Sequence, residues 1–157
     1  MSALLAIDLG LKTGLALYGM EGRLIWYRSQ NFGAPSRLKR AVFSLLQDLP
    51  QLQWLIVEGG GPLADLWTRE AERRAIRVRR ITAETWRTVL LNPREQRNGL
   101  QAKQHADTLA RRVIEWSGAR RPTSLRHDAA EAILIGLWGV LEAGLIKDMP
   151  PEIARGR

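Results

Sequence analysis

The chain has 157 residues, 45% of them hydrophobic, which fits one domain with a core of its own and excludes a disordered chain. It contains no cysteine, so a disulfide framework, a thiolate zinc site and a cysteine nucleophile are all excluded. A formal net charge of +8, carried mostly by arginine, points to a polyanionic partner, because the planar guanidinium fork suits bidentate contact with phosphate.

Leu4-Leu5-Ala6-Ile7-Asp8 is apolar on both faces, the pattern of a central strand, and breaks at Leu9-Gly10 with the acid at its C-terminal end. Asp8 also interrupts the apolar N-terminus too early for a signal-like stretch. Residues 13–18 read as a second strand, Gly19 to Gly22 as a hairpin turn and residues 23–30 as a third strand, so the chain opens with an antiparallel meander. A helix starting at Pro35 or Ser36 carries Leu38, Val42, Leu45 and Leu46 on one side and ends near Pro50. Trp54-Leu55-Ile56-Val57 then forms a strand that ends at Glu58. A right-handed crossover lays it parallel to the first strand and brings Asp8 and Glu58 to one edge of the sheet.

Gly59-Gly60-Gly61-Pro62 lacks the lysine and the hydroxyl residue of a phosphate loop, and reads as a flexible connection that lets nucleic acid approach Glu58. Pro62 suits the first turn of a helix that runs to about Arg74. Residues 76–81 form a fifth strand, which Arg77, Arg79 and Arg80 mark as an edge. A helix over residues 83–91, a loop at Asn92-Pro93, a basic mobile segment over residues 94–99 and a helix over residues 101–116 follow. The last helix opens between Leu125 and Asp128. The apolar stretch 129–146 is too short to span a bilayer and carries Glu131 and Glu142, so a soluble protein of cytoplasmic type is expected, with no membrane partner. Residues 1–148 read as the domain and 149–157 as a tail. Trp54, Trp116 and Trp138 read as core, Trp67 and Trp86 as core or interface.

Asp128 and Glu131 stand three residues apart on one helix face. Asp128 also suits a purely structural role, since a negative charge is favoured at a helix start. Glu131 has apolar neighbours on every side, and a carboxylate there needs a partner, which a metal supplies. Glu142 lies roughly 16 Å further along and falls outside the site. Carboxylates without cysteine form an oxygen-rich set suited to Mg²⁺ or Mn²⁺ rather than zinc. In a basic chain this suggests phosphodiester hydrolysis with two metals about 3.5–4 Å apart. His127 is an alternative ligand or base, although it points about 100° away from Asp128 around the helix. His105 reads as a helix-surface residue. Arg77, Arg79, Arg80, Arg94 and Arg97 are the candidate phosphate contacts.

Ala-Ile-Asp8-Leu-Gly-Leu-Lys-Thr-Gly, Ile-Val-Glu58-Gly and His-Asp128-Ala-Ala-Glu131-Ala resemble the three acidic motifs of RuvC-type Holliday-junction resolvases, of the ribonuclease-H-like superfamily. The resemblance in motif order covers nearly the whole chain. It implies an α/β ribonuclease-H-like fold with a five-stranded mixed sheet flanked by helices, a Mg²⁺-dependent endonuclease acting on four-way junction DNA, and a homodimer. It assigns Asp8, Glu58, Asp128 and Glu131 to the metal site, and Lys103 matches a DNA-contacting or catalytic lysine. Glutamate at 131 departs from the usual aspartate, and Gly59 to Pro62 replace the glutamine and aromatic residue that follow the second acid in the family. The junction-opening residue is therefore unassigned. A YqgF-type RNA-processing nuclease and a catalytically silent junction-binding module are the alternatives. For the dimer contact, Leu63, Leu66 and Trp67 are the apolar candidates, with ordinary packing on the sheet as the other reading.

Overall fold

The structure, a computed structural model, describes residues 1–96 and 98–154. Five strands, β1 (Ser2–Asp8), β2 (Lys12–Gly19), β3 (Leu24–Asn31), β4 (Trp54–Glu58) and β5 (Arg77–Ile81), form one sheet in the order β3-β2-β1-β4-β5. The first three pair antiparallel, while β4 lies parallel to β1 and β5 parallel to β4. The expected meander, crossover and arginine-bearing edge strand are all present, and the register sets Asp8 directly opposite Glu58.

The helices are α1 (Pro35–Gln47), α2 (Gly61–Arg73), α3 (Ala83–Leu90), α4 (Gly99–Ser117), α5 (His127–Glu142) and α6 (Pro151–Ala154), with a short 3-10 helix at Pro93–Gln96. Alternation along β1 explains how they divide. Leu5 and Ile7 point into a core closed by α1 and α2, whereas Leu4 and Ala6 point into a second core closed by α3, α4 and α5. Each face is thus covered, as an unbroken apolar central strand requires. Among the described residues no helix is long and apolar enough to cross a membrane.

α5 is buried almost all round and lies very close to the sheet. A Cβ on Gly136 would stand 2.1 Å from the Tyr18 ring, and one on Gly14 would stand 1.9 Å from the backbone oxygen of Asp128. Glycine at position 14 therefore lets the start of α5 settle on β2 beside the end of β1. The Tyr18 hydroxyl donates to the Ile133 carbonyl and satisfies the one polar atom of that buried ring.

One expectation changes, and one of two open readings is taken up. The segment from Met149, read as a tail, includes α6, whose Ile153 is fully buried in the α4–α5 core and whose carbonyl accepts from Arg112 at 3.3 Å. An isoleucine at that spacing is enough to anchor a single turn against α4. Trp67 is fully buried between α2 and the sheet, with Leu63 and Leu66 partly buried against the same core. Ordinary packing is thus the role of this helix face. Trp86 and Trp138 are likewise core, while Trp54 and Trp116 are only partly buried.

Candidate active site

β1 and β4 end side by side, and both chains leave the sheet there. Leu9 N–H donates to the Glu58 carbonyl at 3.3 Å, and Gly59 N–H donates to the Ile81 carbonyl at 3.1 Å. Gly59 has φ +120 and Gly61 φ +77, backbone that favours glycine and keeps side chains away from the rim beside Glu58. Across the gap α5 delivers its first turn. The result is one acidic group: oxygens of Asp8, Glu58 and Glu131 lie within 4.8 Å of one another.

Asp128, one turn before Glu131, stands apart from that group. Its Oδ2 accepts from Ser29 Oγ on β3 at 2.9 Å and its Oδ1 from the Ala129 N–H at 2.9 Å. These bonds hold it at the helix start, where the macrodipole favours its charge. Its charge nevertheless reaches Asp8.

Three further contacts hold the acids in place. Trp86 Nε1 on α3 donates to Glu58 Oε1 at 3.0 Å. Arg87, the next residue, donates from Nη2 to Glu131 Oε1 at 2.9 Å, and His127 Nε2 lies 3.0 Å from that same oxygen. α3 is aimed by its start, where Thr82 and Thr85 form a capping box. Trp86, Arg87 and Ser29 are site residues that the sequence reading missed. The one available signal was the Thr-x-x-Thr cap, which fixes the helix start and so sets the Trp-Arg pair just after its first turn.

The electrostatics follow from crowding. Asp8 is pushed from the usual 3.8 up to about 8, first by burial, then by the charges of Glu131 and Glu58 and a proton shared with Glu58, and last by Asp128. Near neutral pH Asp8 therefore holds a proton that an added cation would expel. An all-oxygen carboxylate set with this much mutual repulsion fits a hard divalent ion, and the absence of thiolates argues against a zinc-type site.

The basic candidates separate by location. Lys103 lines a groove on α4 together with His127, next to the acids. Arg94 is exposed on the 3-10 helix, and Arg97 lies outside the described residues. Arg80 is bound to Asp65 at 2.6 Å and Arg79 to Glu142 at 3.5 Å. Arg77 stacks over Trp54 at 5.0 Å from the ring centroid, at the end of β5 remote from Glu58. Carboxylates on α5 and α2 thus engage Arg79 and Arg80, while Arg77 has a ring contact alone among the described pairs.

No protein-family model and no curated protein sequence matches the chain. In three dimensions it is similar to the Thermus thermophilus RuvC structure, with TM-score 0.66 and 16% identity over 91% of this chain and 95% of that one. It is also similar to T. thermophilus RuvC in complex with Holliday junction substrate, with TM-score 0.63 and 16% identity over 90% of this chain and 96% of that one. The yeast mitochondrial Holliday junction resolvase Ydc2 aligns with TM-score 0.47 and 16% identity over 90% and 81% of the two chains. The five-stranded mixed sheet with its flanking helices is the ribonuclease-H-like fold of RuvC.

Proposed function

We propose that the chain is a metal-dependent, structure-selective endodeoxyribonuclease that resolves four-way DNA junctions by paired phosphodiester hydrolysis. It works as a homodimer with two Mg²⁺ ions per site, or Mn²⁺ in their place. The observation that carries this reading is the convergence of Asp8, Glu58 and Glu131 at the C-terminal edge of the parallel strands, in a strongly basic chain with the RuvC fold. A solved neighbour that contains Holliday junction DNA supports the choice of substrate.

Asp8, Glu58 and Glu131 would hold the ions in this scheme, with Asp128 joining from the helix start. Bound there, divalent ions supply Lewis-acid activation of water and stabilisation of the leaving oxygen. The chain's own residues prepare that step. Trp86 fixes the rotamer of Glu58 through Oε1, and Ser29 and the Ala129 N–H fix that of Asp128 through Oδ2 and Oδ1. Asp8 releases its proton before it can serve as a ligand. Arg87 brings positive charge to Glu131, where a phosphodiester must dock, His127 Nε2 stands against the same oxygen, and Lys103 adds a cation in the adjacent groove. Arg94 adds a phosphate contact from the 3-10 helix, and Arg97 is a further candidate; Arg79 and Arg80 reach DNA by exchanging their carboxylate partners for phosphate. Two cuts related by a two-fold axis need two such centres, which is the reason for the dimer.

Incubation of the protein with synthetic four-way junctions, beside linear duplex and structured RNA, tests the reading. Symmetrical nicks in the junction that need Mg²⁺ or Mn²⁺ and vanish with chelator are expected. Cleavage of RNA but not the junction means an RNA-processing nuclease. Junction binding without cleavage in either metal means a silent binding module.

A further inference from the structure

β3 is the other edge of the sheet, and the segment leading from α4 into α5 runs alongside it. Between them lies a groove of about 350 Å³, lined by Trp26, Tyr27, Arg120, Arg121 and Thr123 among others, with no carboxylate in its walls. The Tyr27 hydroxyl donates to the Arg120 carbonyl, which ties the two walls together. Arg28, the next residue on β3, lies over the Trp26 ring at 4.1 Å from its centroid. Among the described residues Arg28, Arg120, Arg121 and Arg126 form no ion pair with any carboxylate, and all four are exposed. This is the reverse of the β5 edge, where Arg79 and Arg80 are bound internally.

Both walls lead to the acids. Tyr27 stands two residues, about 7 Å by strand rise, before Ser29, and Ser29 holds Asp128. The opposite wall continues through Arg126 and His127 into the same Asp128. We propose that this groove carries the phosphodiester backbone of the DNA strand that passes through the acid cluster, guiding it off along β3. The proposal rests on the nuclease reading and adds to it the path of the substrate. Charge complementarity favours a polyanion, because guanidinium groups without carboxylate partners are available for bidentate phosphate contact. Continuity with the acids favours the strand being cut over a distant arm.

Junction affinity in metal-free buffer separates binding from cleavage. Arg120→Glu with Arg121→Glu should weaken binding at least tenfold at about 0.1 M salt and flatten the log–log salt dependence by about 1.8, two phosphate contacts at roughly 0.9 each. Lys39→Glu with Arg40→Glu makes the same change in net charge on the exposed side of α1 and should cost less than about threefold, since it alters only long-range attraction. Equal losses in the two pairs overturn the groove. Should the glutamate pair fail to fold, the alanine pair is read for the same flattening of the slope. Position is read separately. The chain has no cysteine, so Thr123→Cys carrying a tethered iron chelate is its single reactive thiol. Strand scission within a few nucleotides of the enzyme's own cut is expected, and scission confined to distant arms overturns the path. Wild-type protein that neither binds nor cuts a four-way junction defeats the nuclease reading itself, before any variant is compared.

Discussion

Asp8 concentrates the conflict on which the site is built. In the unfolded chain it releases its proton near 3.8, and in the folded chain near 8. Below the lower value both forms are protonated and Asp8 does not affect stability. Between the two the folded chain keeps a proton that the unfolded chain has lost, so stability falls as pH rises; above about 8 the cost is complete and constant. Asp8→Asn should therefore be more stable than wild type in chelator, by on the order of 1–3 kcal/mol at pH 8.5, with the gap closing toward pH 4. Thermal melts across that range measure it, and a constant gap contradicts the crowding account. The same variant, with Glu58→Gln and Asp128→Asn, should lose cleavage while keeping junction binding. Mg²⁺ should raise the melting temperature of wild type more at pH 8.5 than at pH 6.5, because at the lower pH it competes with the Asp8 proton. Trp86→Phe keeps the ring and removes the N–H to Glu58, so metal affinity measured by calorimetry should drop about 10- to 100-fold with little change in fold. The acids were legible in the sequence because each ends an apolar strand or opens an apolar helix. Trp86 and Arg87 were not, since a tryptophan at helical spacing reads as core and an arginine beside it as solvated. Only the docking of α3 against the sheet reveals their polar ends.

At the scale of elements, the strands were legible because their apolar runs are bounded by Gly, Pro and acidic residues. The parallel placement of β4 followed from one helix-bearing connection. Helix starts at Pro35 and Pro62 were read to within a residue. What the sequence could not disclose is which helix faces touch. α2 presents Leu63, Leu66 and Trp67 in a stripe that serves an interface or a sheet equally well, and the sheet takes it. Trp67→Ala should therefore cost about 3–5 kcal/mol of stability, seen in denaturant unfolding. Loss of self-association without loss of stability would reverse that assignment. The fit of α5 on β2 depends on Gly14 in the same way. Gly14→Ala forces a methyl group into the Asp128 backbone oxygen, so α5 must shift or the variant must unfold. Loss of cleavage with at least about 1–3 kcal/mol of destabilisation is expected, and normal activity at normal stability rules the contact out as a constraint.

At the scale of the whole molecule, positive charge is abundant but unevenly available, bound to carboxylates along β5 and, among the described residues, without carboxylate partners along β3. Sequence counting could not see that difference, because each pairing joins residues far apart in the chain. A protein that cuts two symmetry-related strands should sediment with the junction as two chains per DNA. One chain per junction, in active protein, defeats the dimer. Asp8, Glu58, Trp86 and Glu131 are drawn from nearly the full length of the chain, and α5, which brings the last of them, also covers one whole face of β1. During synthesis the sheet can therefore assemble with Asp8 and Glu58 already opposed while α5 is still missing. At that stage the chain is apolar on one side and has no third carboxylate. On the proposed nuclease reading, a product broken off before His127 should be sticky and harmless to DNA, because the third carboxylate of the candidate site arrives only with α5.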